Sequence, residues 1–340
     1  MKKKTATIHD IALSLNISSS TVSRALSNHP GISKPTVKKV LLAAKKLNYR
    51  PNILASNLRK GHGNTIGVVI PAINRHFFSG AIAGIEAVAC ANGYNVLIAQ
   101  TQESYQREIQ SIETLINARV DGVIISLTAQ TENYAHIETL MGRDIPLVMF
   151  DRVCDGLEVS KVVLDDVAVG HMVSSYLLQQ GRRKIVHLSG TKHINVYNNR
   201  QLGYERALAE HGMAPNPHWV VNDCITRENG YAYAIDCIKT NNLPDAVFAA
   251  SDFSALGALL AFKENGIHIP QDIAIAGVAN EPFTSLMCPA ITSVEQFSER
   301  MGKTAANLLF DQLSAEGPFE PTKILIEPKL YIRESTEIIP

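Results

Sequence analysis

The chain has 340 residues, of which 46% are apolar and 19% are charged. This composition excludes a disordered chain, and the length is sufficient for about two domains. The longest apolar runs are shorter than the roughly 18–20 residues that cross a bilayer, and no apolar signal core follows the opening MKKK. We therefore expect a cytoplasmic protein that makes no contact with a membrane.

The cysteine spacing indicates neither a metal site nor a disulfide framework. The closest pair, Cys224 and Cys237, is 13 residues apart, and no CxxC motif occurs. We interpret all five cysteines as buried, reduced thiols, and we expect no metal and no cofactor.

The net charge of zero hides a strong asymmetry along the chain. Residues 1–62 contain 12 Lys/Arg and a single acidic residue, Asp10, whereas residues 63–340 contain 20 Lys/Arg and 31 Asp/Glu. Such asymmetry is typical of a nucleic-acid or membrane module joined to a different kind of domain. Tyr49 is the only aromatic residue of the basic segment. Because single-strand binders need aromatic stacking platforms, double-stranded DNA is the favoured partner.

The basic segment predicts three helices within about 45 residues. Thr7 caps the first helix, which runs from Ile8 to Leu15 and has Asp10 at its third position. A second helix, SSTVSRALS, follows a tight turn, and Ser33 caps a third. Helix, short turn, helix and supporting helix form the helix-turn-helix pattern, to which we assign residues 1–50.

A short linker of residues 51–63 follows the basic helices. Its segment ILASNLRK is long enough for about two helical turns, which are unstable alone in water. Gly61-His62-Gly63 forms a flexible joint.

From Thr65 the pattern changes to buried strands that alternate with helices. Two such sets predict a doubly wound parallel α/β core, residues 64–340, with two lobes and a cleft between them. We assign residues 64–163 plus 295–320 to one lobe and 164–292 plus 321–340 to the other. The predicted helices cover 77–92, 104–118, 133–142, 168–180, 199–211, 227–240, 254–265 and 298–314.

Polar segments follow several of the predicted strands. In open α/β sheets, ligands bind beyond the carboxyl ends of the strands. The segments there carry arginines, carboxylates and two aromatic rings, which suit a small hydroxylated molecule. They are 73–78, 151–152, 189–200, 251–252 and 279–281.

Several motifs occur in a characteristic order. They are TVSRAL, LNYRPN with a following A-x-x-L, FFSGAIAGIE, PLVMFDR, NNRQLGYERAL and ASDFSALGAL. Together they resemble the LacI/GalR family of bacterial transcription regulators over essentially the whole chain. The resemblance implies a periplasmic-binding-protein-like core behind the helix-turn-helix domain. It further implies a homodimeric repressor that binds a near-palindromic operator and responds to a small effector, most often a sugar or sugar derivative.

The resemblance places the second helix in the major groove of DNA. Arg24 can donate a bidentate pair to guanine. The family often has an arginine where this chain has Val37, which puts one backbone contact in doubt. The other reading positions are Ser19 and Ser20, and the phosphate-positioning candidates are Thr21, Ser23, Lys34 and Lys39. Either lysine could equally lie on a solvated helix face.

The linker matches the hinge helix of the family. Leu58 corresponds to the leucine that wedges into the central minor-groove step, and Ala55 would allow two hinge helices to approach closely. Asn52 completes the predicted DNA-binding set. The alternative for Leu58 is packing on the core.

In the core, Arg200 matches the arginine with which the family grips its effector, and its alternative role is a structural ion pair. Phe77 and Phe78 could equally be core residues, and Asp252 could instead cap the helix 254–265. The remaining effector-binding candidates are Arg75, Asp151, Arg152, Asn280, Glu281 and Gln296.

Two departures from the family concern the effector. Many relatives carry a ligand-binding aspartate where this chain has Ala279. Arg75 adds a cation at the mouth of the cleft, which motivates the hypothesis of an anionic ligand such as a sugar acid or sugar phosphate. The alternative for Arg75 is a surface arginine.

The same residues bear on three other classes of function. A transport-binding protein would fit the lobes, but the basic segment opposes it. MGKT at 301–304 is similar to the end of a phosphate loop, but Phe297 stands where its first glycine would fall, so we expect no enzyme. A family regulator controlled by a partner protein or a purine-type ligand, or one acting as an activator, stays open.

Overall fold

The structure, a computed structural model, describes residues 6–49, 63–317 and 319–337. It divides into two compact units, Met1–Gly63 and Asn64–Pro340. The predicted DNA-binding residues Asn52, Ala55 and Leu58 lie outside the described residues.

The first unit contains the three predicted helices, α1 (Ile8–Leu15), α2 (Ser19–Leu26) and α3 (Lys34–Lys46). Thr7 and Asp10 form a reciprocal capping box at the start of α1. Ser33 stands at the N-cap of α3, but its hydroxyl bonds to that of Thr36 instead of to a backbone amide. The small core of this unit is built around Ile11, Val22 and Val40, which are fully buried.

The first lobe of the second unit is built on a six-stranded sheet with parallel pairing throughout. Its strands are β1 (Thr65–Ile70), β2 (Asn95–Gln100), β3 (Gly122–Ile125), β4 (Leu147–Phe150), β5 (Ser160–Leu164) and β11 (Lys323–Ile326). They are ordered β11-β5-β4-β3-β1-β2. The helices of this lobe are α4 (His76–Ala91), α5 (Tyr105–Ala118), α6 (Ala135–Met141) and α11 (Ser298–Ser314).

The second lobe repeats the design, with one antiparallel edge strand. Its strands are β6 (Ile185–Leu188), β7 (Val220–Val221), β8 (Ala246–Ala249), β9 (Ala274–Val278), β10 (Thr292–Glu295) and β12 (Lys329–Tyr331), ordered β12-β10-β9-β8-β6-β7. Its helices are α7 (Asp166–Gln179), α8 (Asn195–Glu210), α9 (Arg227–Lys239) and α10 (Asp252–Glu264). The predicted two-lobed α/β fold is therefore confirmed.

Three short segments connect the lobes, at Asp165, at Gln296–Phe297 and after Ile326. The last of them corrects the predicted lobe boundaries. Residues 321–340 were expected in the second lobe, but β11 pairs with β5 in the first. Pairing of a tail strand is a long-range contact that local patterning does not determine.

The described helices start and end close to their predicted positions, with α8 as the main exception. It begins at Asn195, four residues before the predicted start. The extra turn carries Val196 and Tyr197, which are buried in a cluster with Ala250. Cys90 and Cys288 are exposed and Cys154 is half-buried, so the prediction that all five thiols are buried is confirmed only for Cys224 and Cys237.

A glycine contact sets the position of α8 against α7. A Cβ atom at Gly170 would overlap the backbone carbonyl of Arg200, and one at Gly203 would overlap that of Val167. The two helix backbones can approach this closely only because both positions lack a side chain. The approach brings Asp166, at the start of α7, within reach of Arg200.

Candidate functional site

The predicted DNA-reading helix α2 presents one long cation. The side chain of Arg24 is exposed and forms no hydrogen bond or ion pair within the described residues. Lys34 and Lys39 of α3 are exposed as well. The helix is held by Val22 and Ala25 on its buried face, so its polar residues lie on the opposite, solvent-facing side.

The short hydroxyl side chains near the start of α2 are linked by local hydrogen bonds. Ser18 caps the helix by accepting from the Thr21 amide, and its hydroxyl also bonds to those of Ser20 and Thr21, each at 2.8 Å. The Ser19 hydroxyl lies 2.9 Å from Nδ1 of His9 on α1. Sequence analysis missed His9, because its proximity to α2 depends on the packing of α1.

A cavity of about 230 Å³ lies in the second unit between the two lobes. Eight of the ten predicted effector-binding residues line it: Arg75, Phe77, Phe78, Asp151, Arg152, Arg200, Glu281 and Gln296. Asp252 and Asn280 are not part of its wall. Asn74, Val196, Tyr197, Ser251 and Ala279 also line the cavity and lie in the segments predicted at the strand ends. The lining residues outside those segments are Ala72, Glu103, Ile225, Ala250, Phe253 and Val278.

Arg200 is fixed by two hydrogen bonds and keeps one nitrogen without a partner among the described residues. The residue is 3% exposed. Its Nε donates to Oδ1 of Asp166 at 2.8 Å, and its Nη1 donates to the backbone carbonyl of Ala250 at 2.8 Å. Its Nη2 is buried and has no partner within the described part of the chain. A buried guanidinium with an unsatisfied donor at a cavity wall is suited to binding a ligand oxygen.

A buried histidine lies near Arg200. His187 is fully buried and stacks on the rings of Phe248 and Tyr204, at centroid distances of 4.4 and 5.5 Å. Its Nδ1 lies 3.0 Å from the Phe248 carbonyl, to which it donates. Burial lowers the pKa of His187 to about 4; the hydrogen bond to the Phe248 carbonyl opposes this shift, and the charge of Arg200 contributes to it. The imidazole is therefore neutral at physiological pH.

The first lobe contributes a second arginine, Arg152, which forms an ion pair with a carboxylate through one of its nitrogens. Nη1 of Arg152 lies 3.0 and 2.8 Å from the two carboxylate oxygens of Glu103. Glu103 Oε2 also accepts from the Ala129 amide at 2.8 Å. Sequence analysis did not single out Glu103. The signal was available, because Glu103 follows the predicted strand YNVLIAQ at its carboxyl end.

Asp151 is held in a left-handed conformation, with φ of 59°. Its Oδ2 accepts from the Ser126 hydroxyl at 3.3 Å. Burial raises the pKa of the Asp151 carboxyl, and the charges of Arg152 and Arg200 oppose that rise. A carboxylate between two guanidinium groups can accept hydrogen bonds from ligand hydroxyls.

At the edge of the cavity, residues of the two lobes meet. The guanidinium carbon of Arg75 lies 4.4 Å from the ring centroid of Phe253, a cation–π geometry. Burial raises the pKa of Glu281, while electrostatic interactions with His76 and Arg75 and a hydrogen bond from the His76 backbone lower it. The charge of Arg75 is thus accompanied by a nearby carboxylate.

Asp252 and Asn280 lie behind the wall and support it. Asp252 is fully buried and accepts from the Ser293 hydroxyl at 2.7 Å and from the Glu281 amide at 2.9 Å. Asn280 donates to Glu295 at 2.9 Å. Burial raises the pKa of Asp252 to about 7 against these hydrogen bonds. The predicted capping role does not fall to Asp252, because Ser251 is the N-cap of α10.

The fold and the cavity define a class of protein in which a DNA-binding helical unit is joined to a two-lobed ligand-binding core. Family models agree with this division. Residues 7–52 match the bacterial regulatory proteins of the lacI family, and residues 175–336 match a periplasmic binding protein-like domain.

Individual relatives match over nearly the whole length. The chain is 32% identical to the ribose operon repressor of Haemophilus influenzae over 331 residues, which cover 97% of this chain and 98% of that protein. It is 32% identical to the transcriptional repressor CytR of Escherichia coli K12 over 335 residues, covering 98% and 97%. The chain therefore belongs to the LacI family of bacterial regulatory proteins, and the expected family is confirmed.

A solved structure of the lac repressor dimer bound to operator and the anti-inducer ONPF shares the fold, with a TM-score of 0.87. At 22% identity, over 98% of this chain and 99% of that one, it carries information on fold alone. The relatives are transcriptional repressors, which supports a DNA-binding regulator. Across the described ranges, no helix combines the length and apolar character that a membrane span requires.

Proposed function

We propose that this chain is a homodimeric, cytoplasmic repressor that binds a near-palindromic operator and whose operator affinity is controlled by a neutral, polyhydroxylated effector, a sugar or sugar derivative. The observation that carries the effector part is Arg200. It is buried, oriented by Asp166 and Ala250, and has one donor without a partner beside the cavity.

The charges around the cavity favour a neutral effector. Three arginines line it, and so do three carboxylates, Glu103, Asp151 and Glu281. Arg152 is already paired with Glu103, and Arg75 lies near Glu281. A net cationic wall, which would select an anion, is therefore absent among the described lining residues. We accordingly favour a neutral sugar over the anionic-ligand hypothesis.

The shape of the wall also suits a sugar. Carboxylates and guanidinium groups can pair with adjacent hydroxyls, while aromatic rings can cover the apolar face of a sugar ring. Phe77 and Phe253 supply rings from opposite lobes. Such a ligand would shift the equilibrium between open and closed lobes only as far as it binds one of these two states more tightly than the other.

Support for operator binding comes from the first unit. Its helix-turn-helix geometry leaves the side chain of Arg24 exposed and unpaired among the described residues, available for a guanine edge. Ser19, Ser20, Thr21 and Ser23 stand on the same helix, and Lys34 and Lys39 supply positive charge.

Support for a homodimer comes from exposed apolar side chains on the second unit. Leu97 and Ile98 on the edge strand β2 are 43% and 44% exposed, and Leu286 is 82% exposed. β2 is the last strand of its sheet, and exposed apolar side chains on such an edge suit contact with a second copy of the chain. Light scattering of the purified chain should give the mass of two copies, and a monomer mass would contradict the dimer.

The effector is tested by a thermal-shift screen of the full chain. The panel contains D-ribose, D-glucose, D-galactose, D-gluconate, D-glucuronate, ribose 5-phosphate, adenosine and cytidine. A ligand at 100 times its dissociation constant stabilises the folded state by about 2.7 kcal/mol. We expect a shift with a neutral sugar that disappears in Arg200→Ala. A response confined to the acids or phosphates would replace the neutral effector with an anionic one.

A nucleoside or purine-type effector is the second candidate. Phe77, Phe78, Tyr197 and Phe253 all line the cavity, and such a set of rings can stack on a planar base. The adenosine and cytidine arms of the screen distinguish it from a simple sugar.

A further inference from the structure

Asn195, at the first turn of α8, forms two hydrogen bonds across the cleft. Its Nδ2 donates to the backbone carbonyl of Asp151 at 3.1 Å, and its Oδ1 accepts from the backbone N–H of Val153 at 3.0 Å. Asn195 belongs to the second lobe, whereas Asp151 and Val153 follow β4 in the first. One side-chain amide therefore pairs with the backbone groups on either side of Arg152.

The backbone that Asn195 contacts needs such support. Asp151 has a positive φ of 59°, and a non-glycine residue in this region is retained only where its surroundings fix it. The first lobe supplies part of that support, since the Asp151 amide donates to the Val162 carbonyl at 2.9 Å and the Arg152 carbonyl accepts from the Leu127 amide at 3.1 Å. Asn195 satisfies the remaining carbonyl of Asp151 and the amide of Val153.

Residues next to Asn195, in the loop before α8 and on its first turn, also contact the first lobe. Nε2 of His193 lies 2.5 Å from the carbonyl of Ala129 in the first lobe. Ala129 also packs against the buried cluster that includes Ile194 and Tyr197. The two hydrogen bonds of Asn195 thus lie beside a partly buried seam between the lobes, where an unpaired polar group is costly.

We propose that Asn195 is a positioning residue for the effector site. In the closed cleft it fixes the backbone that presents Asp151 and Arg152 to the cavity, and in an open cleft it releases that backbone. The charged wall of the first lobe is then complete only when the second lobe is in place. The proposal rests on the proposed effector cavity, and it adds a residue that does not itself line that cavity.

The amide of Val153 provides a direct readout, because its only hydrogen-bond acceptor among the described residues belongs to the other lobe. The amide of Asp151 provides an internal reference, because its acceptor Val162 lies within the first lobe. Opening of the cleft should expose the first amide to exchange and leave the second protected.

The test is hydrogen–deuterium exchange, resolved to single amides, on the full chain with no effector added. In Asn195→Ala we expect the Val153 amide to exchange about tenfold faster than in the wild type, as for the loss of a typical hydrogen bond. The Asp151 amide and the denaturant midpoint should stay as in the control. Asn198→Ala is the matched control, since Asn198 is exposed on the same helix.

Asn195→Asp separates the two hydrogen bonds. One carboxylate oxygen can still accept from Val153, but the other opposes the carbonyl of Asp151, so we expect exchange at least as fast as in the control and no faster than in Asn195→Ala. Unchanged Val153 exchange in Asn195→Ala would overturn the proposal, as would equal acceleration at Val153 and Asp151, which indicates a general structural role. Because no effector is present, these outcomes do not depend on whether the sugar screen succeeds.

Discussion

The two units of this chain each present an arginine for binding, and they present it in opposite ways. The side chain of Arg24 on α2 is exposed and has no partner among the described residues. Arg200 in the core is 3% exposed, and two of its three nitrogens are already hydrogen-bonded. The difference follows from the partners proposed for them.

DNA surrounds itself with counterions, which a protein cation displaces on binding. An exposed, loosely held arginine can make that exchange and still adjust to the groove. A neutral effector offers no such electrostatic gain, so its binding depends on groups that are oriented in advance. Asp166 and the Ala250 carbonyl provide this orientation for Arg200.

The largest expected difference between the two units is in how the ionic strength changes their binding affinities. If a dimer neutralises about 6–10 phosphates, its affinity for DNA should fall about 10³–10⁵-fold between 50 and 200 mM salt. The affinity for a neutral effector should change less than about twofold, because buried contacts are little screened. Fluorescence anisotropy and calorimetry measure the two. A flat response of DNA binding would contradict the role of the basic unit.

Acid should destabilise the core through His187. Its pKa is lowered to about 4 in the folded chain, whereas the unfolded chain retains the ordinary value of about 6.5. Below that value the unfolded chain takes up a proton that the folded chain does not. Stability should therefore fall as pH decreases from 6.5 to 4, by at most roughly 3 kcal/mol from this residue.

Urea unfolding of His187→Phe should show a shallower loss over this pH window than the wild type. His218→Phe is the control, since His218 is exposed. Burial raises the pKa of Asp166 and of Asp252 to about 7, so these two carboxyls add stability to the folded core as the pH falls. Both are present in the wild type and in the variant, so the difference between the two pH dependences reports His187. If the unfolding free energy depends on pH equally in the wild type and in His187→Phe, His187 does not cause the loss of stability in acid.

Arg200→Lys should weaken effector binding about 10–100-fold, because a lysine can keep one contact with Asp166 but lacks the unused Nη2 donor; a charged hydrogen bond contributes about 1.5–3 kcal/mol. Calorimetry with the sugar found in the screen measures this loss. Arg206→Lys is the matched control on α8, where Arg206 is exposed. Equal affinities in Arg200→Lys and wild type would mean that Arg200 serves the ion pair alone.

Arg24→Ala should cost about 1–3 kcal/mol in operator affinity and relax the preference for one base pair. Competition between the best operator and a variant at that base pair measures the specificity. A uniform loss across all DNA sequences would show that Arg24 contacts phosphate instead.

Arg75→Ala should have the smallest effect. Its cation–π contact with Phe253 at a half-exposed site is worth about 0.5–1 kcal/mol, and Glu281 offsets its charge. D-galactose and D-glucuronate affinities should therefore change equally, by about fivefold or less. A loss of affinity for D-glucuronate alone would support an anionic effector.

Most of the architecture was readable from the sequence because strand and helix periodicities are local. The capping box of Thr7 and Asp10 and the three basic helices are examples of such local signals. The pairing of β11 with the first sheet was not readable, because it joins residues about 160 positions apart.

At the candidate site, too, local sequence patterns predict positions near strand ends but not contacts between distant residues. The rule that ligands lie beyond strand ends located Asp151, Arg152 and Glu281 at the cavity. It could not tell Asp252, which faces inward to Ser293, from a residue of the wall. Nor could it find Asn195, whose partners lie in the other lobe and become neighbours only after folding.

The central claim is that effector binding in the core changes operator affinity. The most direct measurement titrates the full chain into an operator, selected from a random duplex pool, with and without a saturating concentration of the sugar found in the screen. The account predicts a change in dissociation constant of about 5–150-fold, abolished in Arg200→Ala. An operator affinity that stays the same while the sugar is bound would contradict it.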